Sequence, residues 1–297
     1  MTAIAFKTPA KVNLGLHMLG KREDGFHELE TLFQMVNWCD EIKIECLADG
    51  LELTCNQPDI PTDEGNLVIK AARLLQTRFP DRCKGARIHL KKNIPHGAGL
   101  GGGSGNAAGV LLGLNFLWDL ELKREELILM ASELGSDVPF FLLSPCAIGR
   151  GRGEILEPVD SSLKFYILMV YPGFPVSTAW VYGNLNLKLT KQENNISILK
   201  NFLLRSEFAQ LGAAWTNDLE PVVFQEYPEI FAITKQFLAF GAKGALLSGS
   251  GSTVFGLFDN LETAKTAYTR LEGGKFRLFL AESIVSLSEL YPEEMLR

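Results

Sequence analysis

A chain of 297 residues with 46% apolar side chains is long enough for two compact domains and apolar enough to fill their cores. A formal net charge of −6 argues against nucleic-acid and membrane-surface partners, which call for a basic excess. The longest uninterrupted apolar run, "FYILMVY" (Phe165 to Tyr171), has the length of a buried strand and falls far short of a membrane span.

The first stretch, "AKVNLGLHML" (Ala10–Leu19), alternates, with Val12, Leu14, Leu16 and Met18 on one face, and predicts a half-buried strand. "EIKIECL" and "LELTC" continue the β pattern. "NLVIKAARLLQTRF" (66–79) predicts an amphipathic helix capped by Asn66. "ARIHLKK" (86–92) is a strand, "NAAGVLLGLNFLW" (106–118) an apolar helix, and "KREELILMASELG" (123–135) a helix closed by glycine. The chain turns at "GRGRGE" and divides near 155–165, giving units 1–160 and 161–297. The second unit opens with the strand "KFYILMVYP", continues with helices near 196–210 and 228–240, and then carries "GAKGALLSGSGSTVFGLF" as strand, glycine turn and strand. The helix "LETAKTAYTRLE" and the strand "KFRLFLAES" close it. Five cysteines, Cys39, Cys46, Cys55, Cys83 and Cys146, contain no CxxC pair and suggest neither a disulfide framework nor a zinc site. Reduced thiols and an N-terminus with no signal-peptide character lead to the expectation of a cytoplasmic protein.

"NIPHGAGLGGGSGNAAG" (93–109) is the most glycine-rich stretch. A surface loop is the plain account of such a segment. Its position between a strand and an apolar helix offers another, because a helix start presents unpaired N–H groups and a positive dipole end to an anion. The Walker pattern fails, since Gly103 stands where lysine is required. The dinucleotide fingerprint is matched by Gly97, Gly99 and Gly102, with Asp119 at a suitable distance. The entering strand carries charges, however, where that fold buries both faces. The protein-kinase loop lacks its His-Arg-Asp and Asp-Phe-Gly companions.

The stretch resembles the ATP loop of the galactokinase, homoserine kinase, mevalonate kinase and phosphomevalonate kinase (GHMP) superfamily. Pro95, Gly99, Leu100, Gly101, Ala107 and Ala108 keep its frame, and "PAKVNLGL" and "GALLSGSGSTVFGLF" stand before and after it in the superfamily's order. "DGFHELETLF" and "LGSDVPFFL" are similar to one branch, which phosphorylates a cytidine diphosphate ester of methylerythritol. The resemblance implies an α+β, two-domain GHMP kinase fold. Its N-terminal part would be like the second domain of ribosomal protein S5, with a left-handed β-α-β crossover. Its C-terminal part would be a ferredoxin-like α/β sandwich. The implied reaction moves the ATP γ-phosphate, with Mg2+, to the 2-hydroxyl of 4-diphosphocytidyl-2-C-methyl-D-erythritol, in the non-mevalonate isoprenoid route.

The same resemblance implies roles. Asp137 takes the hydroxyl proton and Lys11 stands beside it; an N-cap for Asp137 and a solvated strand-edge position for Lys11 are the plain alternatives. Pro95, Gly97, Gly99, Leu100, Gly101, Gly102, Gly103, Ser104, Gly105 and Asn106 wrap the ATP phosphates, Ser104 being the candidate hydroxyl for magnesium. Asn106 is equally a helix cap; Lys92 approaches the nucleotide, with a solvated strand end as the plain alternative; Asn66 touches the adenine end, though capping alone would explain it. Phe26 and Tyr182 sandwich the cytosine, Phe26 standing where the branch usually has tyrosine. His27 reads the base edge, and Asn13 and Thr178 face the methylerythritol. The "SGSGSTVFG" turn faces the first loop across the cleft or is an ordinary tight turn. A sugar or mevalonate kinase, a nicotinamide oxidoreductase and a non-catalytic nucleotide binder are the rival readings.

Overall fold

The computed structural model describes residues 2–185 and 196–296. In chain order the elements are β1 (Ala3–Lys21), β2 (His27–Leu47), β3 (Leu51–Cys55), α1 (Leu67–Arg78), β4 (Gly85–Lys91), α2 (Gly102–Leu117), α3 (Arg124–Leu134), α4 (Phe140–Leu143), β5 (Cys146–Gly151) and β6 (Ile155–Pro158). Then follow β7 (Tyr166–Tyr171), α5 (Thr178–Gly183), α6 (Ile196–Leu204), α7 (Phe208–Ala214), α8 (Glu220–Glu226), α9 (Pro228–Ala239), β8 (Gly244–Leu247), β9 (Val254–Phe258), α10 (Leu261–Leu271) and β10 (Arg277–Glu282).

Two sheets organise these elements. In the first, β1 and β2 form a long antiparallel pair, kinked by register shifts at Pro9/Ala10, Asn13/Gly15 and Met18/Gly20. Beyond β2 the order runs through β4 to β3 on one side and through β5 to β6 on the other. β3 and β4 are parallel and joined through α1, as a β-α-β unit requires. The second sheet has the order β10-β7-β9-β8, all antiparallel. That order, with helices joining β7 to β8 and β9 to β10, is the ferredoxin-like α+β sandwich.

Several predicted elements are met by the structure and others change. Asn66 caps α1 by accepting the Val68 N–H at 2.9 Å. Asn260 caps α10 by accepting the Thr263 N–H, also at 2.9 Å. β1 is not half-buried: Lys11, Asn13 and His17 on its polar face are buried too, because that face is roofed by the second unit. α2 begins at Gly102 and not at Asn106, so four residues of the glycine stretch form its first turn. β5, β6, α5 and α8 have no counterpart in the sequence reading; each is four to seven residues long, too short to show a period.

Three apolar clusters form the interior. One packs β2 and β4 against α1, α2 and α3, and the returning residues Ile284, Leu287, Leu290, Tyr291 and Met295 join it. A second holds Val12, Leu14 and Trp38 against Ile167, Met169 and Phe255, so β1 packs on both sheets. The third lies between β7, β9, α9 and α10, and takes in Leu16, Met18 and Leu29 from the β1–β2 pair.

Candidate active site

Where the two sheets meet, a cleft of about 1090 Å³ opens. Its floor is the polar face of β1. Strand alternation sends Val12 and Leu14 into the apolar cluster and so turns Lys11 and Asn13 to the opposite side. Lys11 Nζ donates to Asn13 Oδ1 at 2.7 Å, Asn13 Nδ2 donates to Thr31 Oγ1 at 2.8 Å, and Thr31 donates to the Gly15 carbonyl at 2.6 Å. Asp137 Oδ2 lies 3.7 Å from Lys11 Nζ, its side chain 33% exposed to the cleft. Burial lowers the Lys11 ammonium below the usual lysine range, and the Asp137 carboxylate opposes that shift. Asp137 does not cap the helix after it: α4 starts beyond Pro139 with no side-chain cap bond.

The glycine loop forms the next wall. Gly101, with φ 65°, precedes α2, whose 16 residues direct their N-terminus at the cleft. Lys11 N–H donates to the Leu100 carbonyl at 2.9 Å, which ties the loop to β1. Ser248 Oγ donates to the Gly99 carbonyl at 2.9 Å, and Thr253 N–H to the Ala98 carbonyl at 3.2 Å. The two glycine turns are therefore in contact, and a Cβ on Gly99 would lie 2.0 Å from the Ser248 carbonyl oxygen. These contacts and the burial of Ala98 and Leu100 are not those of a solvated surface loop.

Under the start of α2 lies a buried polar group. Lys92 Nζ is paired with Asp40 and donates to Asn106 Oδ1 at 3.1 Å. Asn106 Nδ2 donates to Thr8 Oγ1 at 2.7 Å and to Asp40 Oδ2 at 2.9 Å. The other Asp40 oxygen accepts the Asn93 and Ile94 N–H groups at 2.7 and 2.9 Å. Lys92 is thus no solvated strand end, and Asn106 is no cap but an interior helix residue. Both also line the cleft. Asp40 shows no sequence signal, being one acid among several in "CDEIKIE".

At the other end, Phe26 stands at the rim, 54% exposed, with the Arg152 guanidinium 4.7 Å from its ring centre. His27 and Tyr182 are neighbours, their ring centres 5.4 Å apart. Burial, with Lys21 nearby, lowers the His27 imidazole below its usual range. Burial pushes the Tyr182 phenol up to about 12, with the Asp137 charge adding to the effect. Thr178 opens α5 and shares a 2.8 Å hydrogen bond with Ser250 of the second glycine turn. One cleft thus gathers the residues singled out from the sequence, with one exception. Gly105 faces away: it packs under Phe141, and a Cβ there would meet the Pro9 carbonyl at 2.9 Å. Arg152, Lys21, Gly249 and Ser250 line the same cleft. Arg152 and Lys21 carried no signal, since isolated basic residues are common on any surface.

The family models that match both halves of the chain make it a kinase of the GHMP class, which uses ATP. The chain matches the GHMP kinases N terminal domain over residues 66–145 and the GHMP kinases C terminal model over 198–276. It is 45% identical over 269 residues to a 4-diphosphocytidyl-2-C-methyl-D-erythritol kinase of Chlorobium phaeobacteroides (strain BS1), covering 90% of this chain and 93% of that one. It is 42% identical over 274 residues to the kinase of the same name from Geobacter sp. (strain M21), covering 92% and 95%. The crystal structure of a 4-(cytidine 5'-diphospho)-2C-methyl-D-erythritol kinase superposes with a TM-score of 0.83 at 36% identity, over 94% of this chain and 99% of that one. A homoserine kinase from Cytophaga hutchinsonii, at 21% identity and a TM-score of 0.73, shares the fold. The chain belongs to the 4-diphosphocytidyl-2-C-methyl-D-erythritol kinase family of GHMP kinases.

Proposed function

We propose that this chain transfers the γ-phosphate of ATP to the 2-hydroxyl of 4-diphosphocytidyl-2-C-methyl-D-erythritol, a step of non-mevalonate isoprenoid synthesis. The observation that carries the mechanism is the Lys11–Asp137 pair, 3.7 Å apart, in the same cleft as the α2 N-terminus. Phosphoryl transfer asks for in-line placement, charge neutralisation and an acceptor for the hydroxyl proton. Asp137 takes that proton. Lys11, held by Asn13 and Asp137, stabilises the alkoxide charge as it develops. The free N–H groups of the first turn of α2 and the backbone from Pro95 to Ser104 hold the ATP phosphates, with Lys92 beside them and Asn66 toward the adenine. Gly105 supports the loop from behind.

Mg2+ binds through few protein ligands plus phosphate, and the hydroxyl of Ser104, in the first turn of α2, is a donor of the kind it takes. Ser104 lines the cleft and would hold it, and the ion would neutralise phosphate charge. Phe26 and Tyr182 form the cytosine site, with His27 at the base edge and Asn13 and Thr178 toward the methylerythritol. A cytoplasmic location is part of this proposal; no helix among the described residues is long and apolar enough to cross a membrane. The division into 1–160 and 161–297 is supported by the first sheet ending at Pro158 and the second beginning at Tyr166, with residues 284–295 crossing back to the first core. The test is phosphorus NMR of the protein with ATP, magnesium and the cytidyl substrate. A new phosphomonoester on the methylerythritol supports the reading; no transfer, or equal transfer to mevalonate or a sugar, overturns it.

A further inference from the structure

The residues Thr216 to Glu220 fasten the second glycine turn to β1. Leu16 N–H donates to the Thr216 carbonyl and Asp218 N–H to the Leu16 carbonyl, both at 3.0 Å. Met18 N–H donates to Asp218 Oδ2 at 2.8 Å. Glu220 Oε1 accepts the Leu247 N–H at 2.9 Å. Asn217, only 3% exposed, donates one amide hydrogen to the Leu247 carbonyl at 2.9 Å and the other to the Gly249 carbonyl at 2.8 Å. Its own Oδ1 accepts the Leu219 N–H at 2.9 Å. Both donors and the acceptor of this side chain are therefore engaged.

Gly249 is where this anchorage meets the chemistry. A Cβ on it would lie 3.3 Å from Asn13 Oδ1, 3.4 Å from Lys11 Nζ and 3.5 Å from the Gly99 carbonyl. The Gly249 backbone is thus packed on the lysine, on the asparagine that holds it and on the ATP loop together. Asn217 itself is absent from the cleft wall, whereas Gly249 and Ser250 form part of it.

We propose that Asn217 is a positioning residue for phosphoryl transfer: its side-chain amide fixes the Gly249 peptide, and through it the relation of Lys11 to the ATP loop. The inference rests on Lys11 belonging to the reaction centre. The isosteric change to Asp places a carboxylate against two carbonyl oxygens. The change to Ser leaves those carbonyls without their donors and frees the turn to shift. A displacement of about 1 Å at a reacting pair costs on the order of 10²-fold in rate.

The experiment measures kcat and both KM values, counted per nucleotide-binding site by titration with a non-hydrolysable ATP analogue, for wild type, Asn217→Asp, Asn217→Ser and Glu220→Gln. Glu220→Gln is the control, because an amide oxygen still accepts from Leu247 and the hydrogen bond to the Gly249 carbonyl comes from Asn217. The expected result is a fall in kcat per site of about 10- to 100-fold in Asn217→Ser. KM for the cytidyl substrate stays near wild type, and Glu220→Gln keeps wild-type kcat. Asn217→Asp falls further if it folds; the Ser variant carries the test if it does not. Wild-type kcat per site in Asn217→Ser, even with a lower Tm, overturns the proposal and leaves a purely structural asparagine. An equal loss in Glu220→Gln also overturns it, since any loosening of the segment then suffices. A wild-type protein that transfers no phosphate to the cytidyl substrate overturns the proposed function first, and the two failures are told apart by that arm.

Discussion

Asp137→Asn removes the capacity to take a proton and, with it, the negative charge beside Lys11. No cap bond depends on the side chain, so the fold is expected to persist. Lys11, already lowered by burial, loses the carboxylate that opposes that shift, so part of the effect comes through the lysine. Rate losses for a general base are typically ~10²–10⁴-fold. Stopped-time assays should show a fall of that size with ATP affinity nearly unchanged; near wild-type turnover would remove Asp137 from the base role. At the cytidine end, Phe26 is exposed and carries Arg152 against its ring. Phe26→Ala should weaken the cytidyl substrate by ~1–3 kcal/mol, the stacking energy of one base, and leave ATP binding alone. Phe26→Tyr should be close to neutral, and His27→Ala should relax the choice of base. Calorimetry with each ligand separates these outcomes from general damage, which would weaken both ligands equally.

At the scale of elements, the N-terminus of α2 works only because the loop before it is held down. Gly99 is the tightest point of that attachment, with no room for a methyl group against the Ser248 carbonyl. Gly99→Ala should push the two glycine turns apart and weaken ATP binding far more than cytidyl-substrate binding. Unchanged ATP affinity by fluorescence titration would contradict the loop's role. The buried Lys92–Asp40 pair, with Asn106 and Thr8, belongs to the same scale: it joins β1, β2, the end of β4 and α2 in one hydrogen-bonded unit. Such a pair stands because each charge has its partner. Asn66 could be read from sequence as a cap because capping is local. The true start of α2 could not, because glycine's weak helix preference was overridden by the packing of Gly105 and Gly109 against β1.

For the whole molecule, the join between the halves carries a titratable group that affects stability. Burial pushes the Glu220 carboxyl up to about 7 from 4.5, against the Leu247 N–H that favours its charged form. The fold therefore prefers this group protonated. Its contribution to stability is fullest below about pH 4.5 and is lost as pH rises toward 7, by an amount on the order of 3 kcal/mol. Glu220→Gln should remove that slope, gaining stability relative to wild type between pH 5 and pH 7.5 in urea titrations. A constant difference across that window would show that Glu220 titrates normally. The join also includes Gln34, whose amide donates to the Met35, Pro145 and Ile284 carbonyls and so fastens the residues after β10 into the first core.

The sequence by itself determined the local and the ordered: the strand–glycine–helix succession, the Asn66 cap, and three motifs in series whose resemblance to GHMP kinases implied the ferredoxin-like second half. These are legible because capping, alternation and glycine spacing act over a few residues. Only the tertiary structure decided that the polar face of β1 is buried, that Asp40 rather than solvent receives Lys92, that Gly105 supports the loop instead of lining the cleft, and that Asn217 holds Gly249 over Lys11. Asp40 and Lys92 lie 52 residues apart, and Asn217 and Gly249 lie 32 apart. Nothing in the local pattern of either partner records the other; their meeting is fixed when the two sheets close on one another and each buried polar group must find a partner.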